Sequence, residues 1–191
     1  MTMDAPEQIN LPDGASIRLK HMTPDDRDAL LAFANALPQE DLLFLTMDIT
    51  QPAVVDALVR QVVDGRMGSL VAYDERGLIG YTNVHRNPTP WMRRVGEIRV
   101  NVAPAYRARG LGRLLINRAF DMAREMGLGK IIAQMTADQR GAQNAFRRLG
   151  FVPEAILADF VVDRNGRTHD LVMMTFDVDG HTDQAGDAVK I

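Results

Sequence analysis

The residues whose types and spacing suggest chemistry lie in one segment, from Asn101 to Arg113. Here Arg107, Gly110 and Gly112 form an Arg-x-x-Gly-x-Gly pattern directly before an apolar helical stripe. Glycine lets the backbone approach a ligand closely, and the free N–H groups and dipole of a helix N-terminus favour an anion. The segment therefore predicts a phosphate-binding turn at the start of a helix.

Two other phosphate-binding loops do not fit this segment. A Walker A loop has Lys and then Ser or Thr after its last glycine, whereas Gly112 is followed by Arg113 and Leu114. A dinucleotide-binding fingerprint has a third Gly or Ala, whereas position 115 is Leu. The sequence thus argues against NTP hydrolysis and against a Rossmann site.

Composition excludes several further classes of protein. The chain has 191 residues and no cysteine, which rules out disulfides, thiolate metal sites and a cysteine nucleophile. Neither Ser16 nor Ser69 stands in a G-x-S-x-G setting, so a serine-hydrolase nucleophile is not indicated either. The net charge of -3 gives no overall basic field for a nucleic acid or an anionic membrane. We expect no metal, nucleic-acid or membrane partner.

The N-terminal residues indicate where the chain resides. Asp4 and Glu7 stand where a secretory signal would have basic and then apolar residues, and no later apolar run reaches membrane-spanning length. We therefore expect a cytoplasmic protein.

Hydrophobic periodicity and turn residues predict the elements that would position the phosphate-binding turn. Strands are expected at 17–20, 69–73, 78–84, 93–102, 131–136, 156–162 and 168–176, and helices at 23–36, 52–63, 111–126 and 142–149. The order strand, helix, strand over 93–136 implies a right-handed crossover. Those two strands should lie parallel in an otherwise antiparallel sheet, which is a mixed α/β (α+β) fold.

The strand before the turn alternates clearly. Ile98, Val100 and Val102 point to one face, and Glu97, Arg99 and Asn101 point to the other. The apolar face is expected to contact the core, while the polar face is free for another role.

In order and spacing, these features resemble the GNAT family of acyl-CoA-dependent N-acyltransferases. Its central signature is a strand ending in V-x-P, then [QR]-x-x-G-x-[GA], a helix, a short strand and a second helix ending in L-G-F. The chain matches this signature from Val102 to Phe151, and the resemblance covers about 17–177. It implies the GNAT fold, in which helices flank a mostly antiparallel sheet with a central parallel pair. We expect one acyl-CoA N-acyltransferase domain at 1–178 and a flexible tail at 179–191.

The resemblance also implies how acetyl-CoA is bound. Backbone N–H groups from Arg107 to Arg113 would hold the pyrophosphate, and the main chain of the preceding strand would pair with the pantetheine arm as an added strand. For the arginine side chains, an ordinary solvated surface is the alternative. The implied binding residues are Val100, Val102, Arg107, Arg109, Gly110, Leu111, Gly112, Arg113, Gln139 and Asn144.

The implied reaction is direct transfer of the acetyl group from acetyl-CoA to a primary amine. An amine with a pKa near 10.4 is almost fully protonated at pH 7, so a base must help. The resemblance favours Glu97 as that base. A one-residue slip in register would turn its side chain away, and it could also be only part of a polar strand face. His85 is a weaker alternative.

The match fails where the family often has a general acid. A tyrosine commonly stands four residues before the glycine of L-G-F, but this chain has Phe146 there. Tyr106, Tyr81 or water could protonate the leaving thiolate, the thiolate could leave unassisted, or catalysis could have been lost. The rival hypothesis is therefore a non-catalytic acyl-CoA-binding sensor or pseudoenzyme, and a purely structural domain is a third.

The acceptor is not defined by the sequence. Acidic residues are frequent in the first 50 positions, which would suit a cationic amine, but acids in a first helical turn also stabilise the helix by themselves. The C-terminal hairpin is compatible with a homodimer.

Overall fold

The computed structural model describes residues 5–42, 47–163 and 165–180 of the chain. The apolar stretch at 43–45, the acidic residue Asp4 and the part of the predicted tail from 181 onward lie outside the described residues.

Sixteen segments of regular structure are formed by the described residues. The strands are β1 (Glu7–Asn10), β2 (Ser16–His21), β3 (Met67–Tyr73), β4 (Leu78–Arg86), β5 (Val95–Val102), β6 (Lys130–Thr136), β7 (Val152–Val162) and β8 (Thr168–Asp177). The helices are α1 (Arg27–Asn35), α2 (Gln39–Leu42), α3 (Pro52–Val63), α4 (Leu111–Glu125) and α5 (Arg140–Arg148). Short 3-10 turns at Pro24–Asp26, Pro90–Met92 and Pro104–Tyr106 precede α1, β5 and α4.

The strands form one eight-stranded sheet in the order β1-β2-β3-β4-β5-β6-β8-β7. Every neighbouring pair is antiparallel except β5 and β6, which are parallel. The crossover through α4 produces this parallel pair. The predicted mixed, mostly antiparallel sheet is therefore confirmed.

Strand β1 was not predicted from the sequence. Its four residues are mostly polar, and only Ile9 is partly buried. Pairing with β2, rather than hydrophobic alternation, holds this strand in the sheet. Edge strands of this kind carry little signal in a single sequence.

Two hydrophobic cores lie against the sheet. One contains α4 together with the inner residues of β6 and β8, and the other contains α1 and α3 over β3 and β4. Ile98, Val100 and Val102 of β5 contact the α4 core, as the predicted alternation requires. The polar residues of β5 are therefore on the face that carries α1 and α3.

The parallel pairing between β5 and β6 is short. It joins Val95 to Lys130 and ends at Glu97 and Ile132, although β5 continues to Val102 and β6 to Thr136. Beyond that point β6 pairs only with β8, so the two strands separate. Among the described residues, the β6-facing edge of β5 from 98 to 102 has no strand partner. We call this opening the β5–β6 gap.

Gly80 of β4 permits close packing of β4, β5 and α4. A Cβ atom at this position would lie 2.9 Å from the main-chain oxygen of Asn101 and 3.3 Å from Leu115 Cδ1. Because a paired strand cannot easily move, we expect Gly80→Ala to lower the free energy of unfolding by about 1–3 kcal/mol, measured by urea unfolding. Gly141→Ala is the matched control, since no atom lies within 4 Å of its added Cβ. Equal losses in both variants would contradict this account of Gly80.

Candidate active site

The turn before α4 is shaped by Gly110. This residue is the helix N-cap and has a φ of 94°. A Cβ there would also lie 2.9 Å from Pro12 Cδ, so glycine is required both by conformation and by space. The turn presents the first N–H groups of a fifteen-residue helix to the surface. It can therefore hold an anion through the main chain.

Leu111 and Gly112 contribute to this turn in different ways. The Leu111 side chain is fully buried in the α4 core and anchors the helix, so only its main chain is available to a ligand. Gly112 is open, because a Cβ added there would meet only Val102 Cγ2, at 3.8 Å. The absence of a side chain at Gly112 leaves space above the helix N-terminus.

The arginine side chains of the turn make different contacts within the protein. Arg107 donates to the main-chain oxygen of Val102 at 3.3 Å and is ion-paired with Asp41 of α2. Arg109 is ion-paired with Asp13 and lies 4.6 Å over the ring of Tyr106. These acids partly neutralise the two arginines.

Arg113 is exposed and forms no ion pair with another described residue. An anion at the turn can therefore bind the guanidinium of Arg113 and the N-terminus of α4.

Helix α5 follows β6 closely, with Gln139 as its N-cap and Asn144 in its second turn. Gln139 Oε1 accepts a hydrogen bond from the Thr136 main-chain N–H at 3.0 Å, which joins the end of β6 to the start of α5. Asn144 is exposed on α5. Gln143, which the sequence did not single out, is buried and donates to the carbonyls of Thr136 and Ala137. Gln143 thus fixes α5 against β6.

Phe146 belongs to the core. It is buried and meets Phe151 edge-on, with ring centroids 4.8 Å apart. An aromatic ring at this position therefore serves packing, and a proton donor must come from elsewhere.

A cleft of about 680 Å³ lies on the α1 and α3 face of the sheet. Its floor is made by alternate residues of the three central strands, and Gln61 of α3 and the 87–92 loop lie at its sides. Residues from both sides of the β5–β6 gap line it, so the gap opens into the cleft. The floor residues are Tyr81, Asn83 and His85 of β4, Glu97, Arg99 and Asn101 of β5, and Ile132 and Gln134 of β6.

The charged groups of the floor lie side by side. Glu97 is ion-paired with Arg99, whose Nη1 donates to the main-chain oxygen of Gln134 at 3.2 Å across the gap. His85 is the residue of β4 paired with Glu97. Burial lowers the pKa of His85, Glu97 opposes this shift, and Arg99 adds to it. The lowered pKa favours the neutral imidazole.

Tyr81 supplies a hydroxyl group to the same cleft. Its oxygen accepts a hydrogen bond from Asn101 Nδ2 at 2.8 Å, and burial raises its pKa above the ordinary value. Tyr106, the other tyrosine considered as an acid, instead donates to Asp74 on the outer side of the turn, and that bond raises the pKa of Tyr106. Of these two hydroxyl groups, only that of Tyr81 faces the cleft.

The parts of the chain that the structure describes contain no group of three or more His, Cys, Asp or Glu residues arranged to hold a metal ion. No helix formed by these residues has the length and apolar character needed to cross a membrane.

The comparisons with known proteins agree with this geometry. Residues 32–151, more than half of the chain, match the model of the acetyltransferase (GNAT) family. The chain belongs to the GNAT family. The resemblance read from the sequence is thereby confirmed.

One similar protein is a mycothiol acetyltransferase from Renibacterium salmoninarum, 28% identical over 163 residues, which are 79% of this chain and 45% of that protein. This GNAT chain spans about half or less of the length of the curated relatives it matches.

Solved structures of similar fold include two acetyltransferases. A ribosomal-protein-alanine N-acetyltransferase from Brucella melitensis is 28% identical, with a TM-score of 0.69 over 83% of this chain and 98% of that one. A putative acetyltransferase from Salmonella typhimurium, solved with acetyl-CoA, is 24% identical, with a TM-score of 0.70 over 91% of this chain and 99% of that one. At 24% identity, the similarity to the Salmonella typhimurium structure is evidence for the fold only.

The structure brings most of the predicted binding residues of this GNAT chain to the carboxyl ends of the central strands β5 and β6. The turn before α4, the free edge of β5 and the start of α5 surround the β5–β6 gap, and Glu97 faces the cleft beyond it. Sequence reasoning did not find the two acids that bind Arg107 and Arg109. They are distant in the chain, and no local pattern indicates them.

Proposed function

We propose that this chain transfers an acetyl group from acetyl-CoA to a primary amine by direct attack. The observation that carries the proposal is the path from the helix N-terminus at Gly112, along the edge of β5 that no described strand covers, into a polar cleft. A pyrophosphate fits the first part, an extended pantetheine arm fits the second, and an acceptor fits the third.

The free edge of β5 would hold the pantetheine arm. Its main-chain groups at Val100 and Val102 are paired with β4 on one side only. The amides of the arm can complete these hydrogen bonds as an added strand would, which places the thioester at the mouth of the cleft. The residues Arg107, Arg109, Gly110, Leu111, Gly112 and Arg113 would surround the phosphates, with Gln139 and Asn144 across the gap.

Direct attack fits the side chains present. The residues that line the cleft include no cysteine and no serine, so no covalent acyl-enzyme is implied. The amine must lose a proton, and both Glu97 and His85 line the cleft proposed for the acceptor. Tyr81 is placed to donate a proton toward the departing sulfur. Positioning of the two substrates in one gap supplies the remaining acceleration.

The acceptor remains a small-molecule amine or the amine of a peptide or protein. The named relatives include a mycothiol acetyltransferase and a ribosomal-protein-alanine N-acetyltransferase, which act on different acceptors by their names. The cleft of about 680 Å³ has room for either a small amine or a chain terminus.

A non-catalytic acyl-CoA-binding module is the second hypothesis. It is favoured by Phe146, which is a core residue and cannot protonate a leaving thiolate. It predicts that acetyl-CoA binds and no amine promotes release of CoA.

Release of free thiol separates these hypotheses. The chain has no cysteine, so a thiol reagent detects CoA without a protein background. We expect acetyl-CoA to be consumed in the presence of at least one amine from a panel of spermidine, glucosamine, lysine and a peptide that begins with alanine. Binding of acetyl-CoA without turnover of any member would support the binding module. Turnover would exclude it.

A further inference from the structure

His85 is the group on the cleft floor that is most available to an incoming amine. It is half-buried, lines the cleft, and forms no hydrogen bond with another described residue through its ring. A neutral imidazole without an internal partner can accept a proton from a ligand. It lies on β4 opposite Glu97, the last residue of β5 that pairs with β6, so it is next to the point where the β5–β6 gap begins.

Glu97 is less available, because its carboxylate is already held. Arg99 is ion-paired with it and is itself fixed by the carbonyl of Gln134 on β6. The carboxylate oxygen that Arg99 binds is already occupied and is not open to an incoming amine. Glu97 is therefore better suited to stabilise a neighbouring positive charge than to remove a proton.

The charged groups that line the cleft around His85 come from β4, from β5 and from the residue before β3. Glu97 and Arg99 face it from β5, and Arg66, which is ion-paired with Asp64, lies before β3 at the rim of the cleft. Arg86 follows His85 on β4 and donates to the main-chain oxygens of Arg93 and Met126. The lining residues from α3 and from the 87–92 loop carry no charge. The two ion pairs are neutral overall, and Arg86 adds a positive charge.

We propose that His85 is the catalytic base, which takes a proton from the acceptor ammonium, and that the Glu97–Arg99 pair is its positioning partner. This inference rests on the proposed acetyl transfer. The freed lone pair forms the C–N bond with the thioester carbon, and the C–S bond breaks with its electrons on sulfur. Tyr81 gives its proton to the thiolate and regains one from the second amine N–H, so the products are the amide, CoA and one proton that His85 returns to solvent.

Loss of Glu97 and loss of His85 should then change the pH dependence of kcat/KM in different ways. In wild type, kcat/KM levels off near or below pH 6.5, since burial lowers the pKa of His85. Without the imidazole, only the neutral amine reacts, so kcat/KM rises about tenfold per pH unit toward the pKa of the amine. In Glu97→Gln the plateau of kcat/KM persists, but kcat/KM reaches it at a lower pH. The reason is that the Glu97 carboxylate raises the pKa of His85, and the variant lacks it.

The test uses the best amine of the panel above and the variants His85→Gln, His85→Ala and Glu97→Gln. We expect kcat/KM at pH 7 to fall about 100-fold in both His85 variants. Added imidazole should restore part of the rate in His85→Ala and none in Glu97→Gln. Acetyl-CoA affinity and the melting temperature, which should be unchanged, serve as controls for folding.

The outcomes separate this inference from the proposed function. A wild-type plateau that survives in His85→Gln and disappears in Glu97→Gln would overturn it and assign the base to Glu97. An imidazole found protonated at pH 7 by NMR titration of the wild-type chain would also overturn it. Absence of thiol release by wild type with every amine would refute the proposed acetyl transfer itself, and this inference with it.

Discussion

Replacing Gly112 by aspartate is expected to weaken acetyl-CoA binding by roughly 1,000-fold. A new carboxylate about 4 Å from the pyrophosphate would cost about 4 kcal/mol at an effective dielectric constant of 20, and each 1.4 kcal/mol is tenfold in affinity. The folded state should not suffer, because Gly112 is in the first turn of α4, where an acid favours the helix dipole. Calorimetric titration with acetyl-CoA measures the effect.

Gly112→Ala is the matched control for this variant. Its Cβ would make only an ordinary contact, 3.8 Å from Val102 Cγ2, so binding should change by no more than a few-fold. The loss in Gly112→Asp should also become smaller as salt is added, because exposed charges are screened. If Gly112→Asp binds acetyl-CoA as wild type does, the phosphates are not at the α4 N-terminus.

Asp26→Ala is expected to lower the free energy of unfolding by about 3–5 kcal/mol, the usual cost of leaving a buried charge without its partner. The Asp26 side chain is only 5% exposed and is bound by Lys20 at 2.6 Å. It also accepts hydrogen bonds from the Tyr73 hydroxyl at 2.6 Å and the Thr23 main-chain N–H at 2.8 Å. One carboxylate thus joins β2, β3 and the start of α1. Urea unfolding at pH 7 measures the loss.

Asp28→Ala is the control, because the Asp28 side chain is 88% exposed in its ion pair with Arg27. An exposed pair contributes about 0–1 kcal/mol, so the variant should be close to wild type. Similar losses in both variants would contradict the special role of Asp26.

Stability at acid pH tests the same cluster in wild type. Burial alone would raise the pKa of Asp26, but the hydrogen bonds from Lys20, Tyr73 and Thr23 hold it below the ordinary value of 3.8. A carboxyl group whose pKa is lower in the folded state stabilises the fold at any pH above its pKa in the unfolded chain. This stabilisation is lost as the pH falls through the pKa of the folded state. We expect wild-type stability to fall below about pH 4, and Asp26→Ala to lose this part of the dependence.

Local patterns sufficed for most of the architecture. The alternation in β5 predicted which face contacts the α4 core, and the glycines at 110 and 112 predicted the start of α4. The crossover rule predicted the parallel pair. These features depend on neighbours in the sequence, so a single chain carries them.

Features that depend on distant residues could not be predicted. The early end of the β5–β6 pairing is a relation between two strands some 30 residues apart, and no motif in β5 indicates it. The ion pairs of Arg107 with Asp41 and of Arg109 with Asp13 join segments that are 66 and 96 residues apart. The ion pair of Glu97 with Arg99 differs from these, because it joins two residues that the alternation of β5 already placed on one face.

A crystal structure of the chain with acetyl-CoA tests the central claim most directly. We expect the pyrophosphate on the N–H groups at 110–113, the pantetheine arm hydrogen-bonded to Val100 and Val102 in the β5–β6 gap, and the thioester at the cleft beside His85. Acetyl-CoA bound elsewhere on the sheet, or a gap filled by the protein itself, would contradict it.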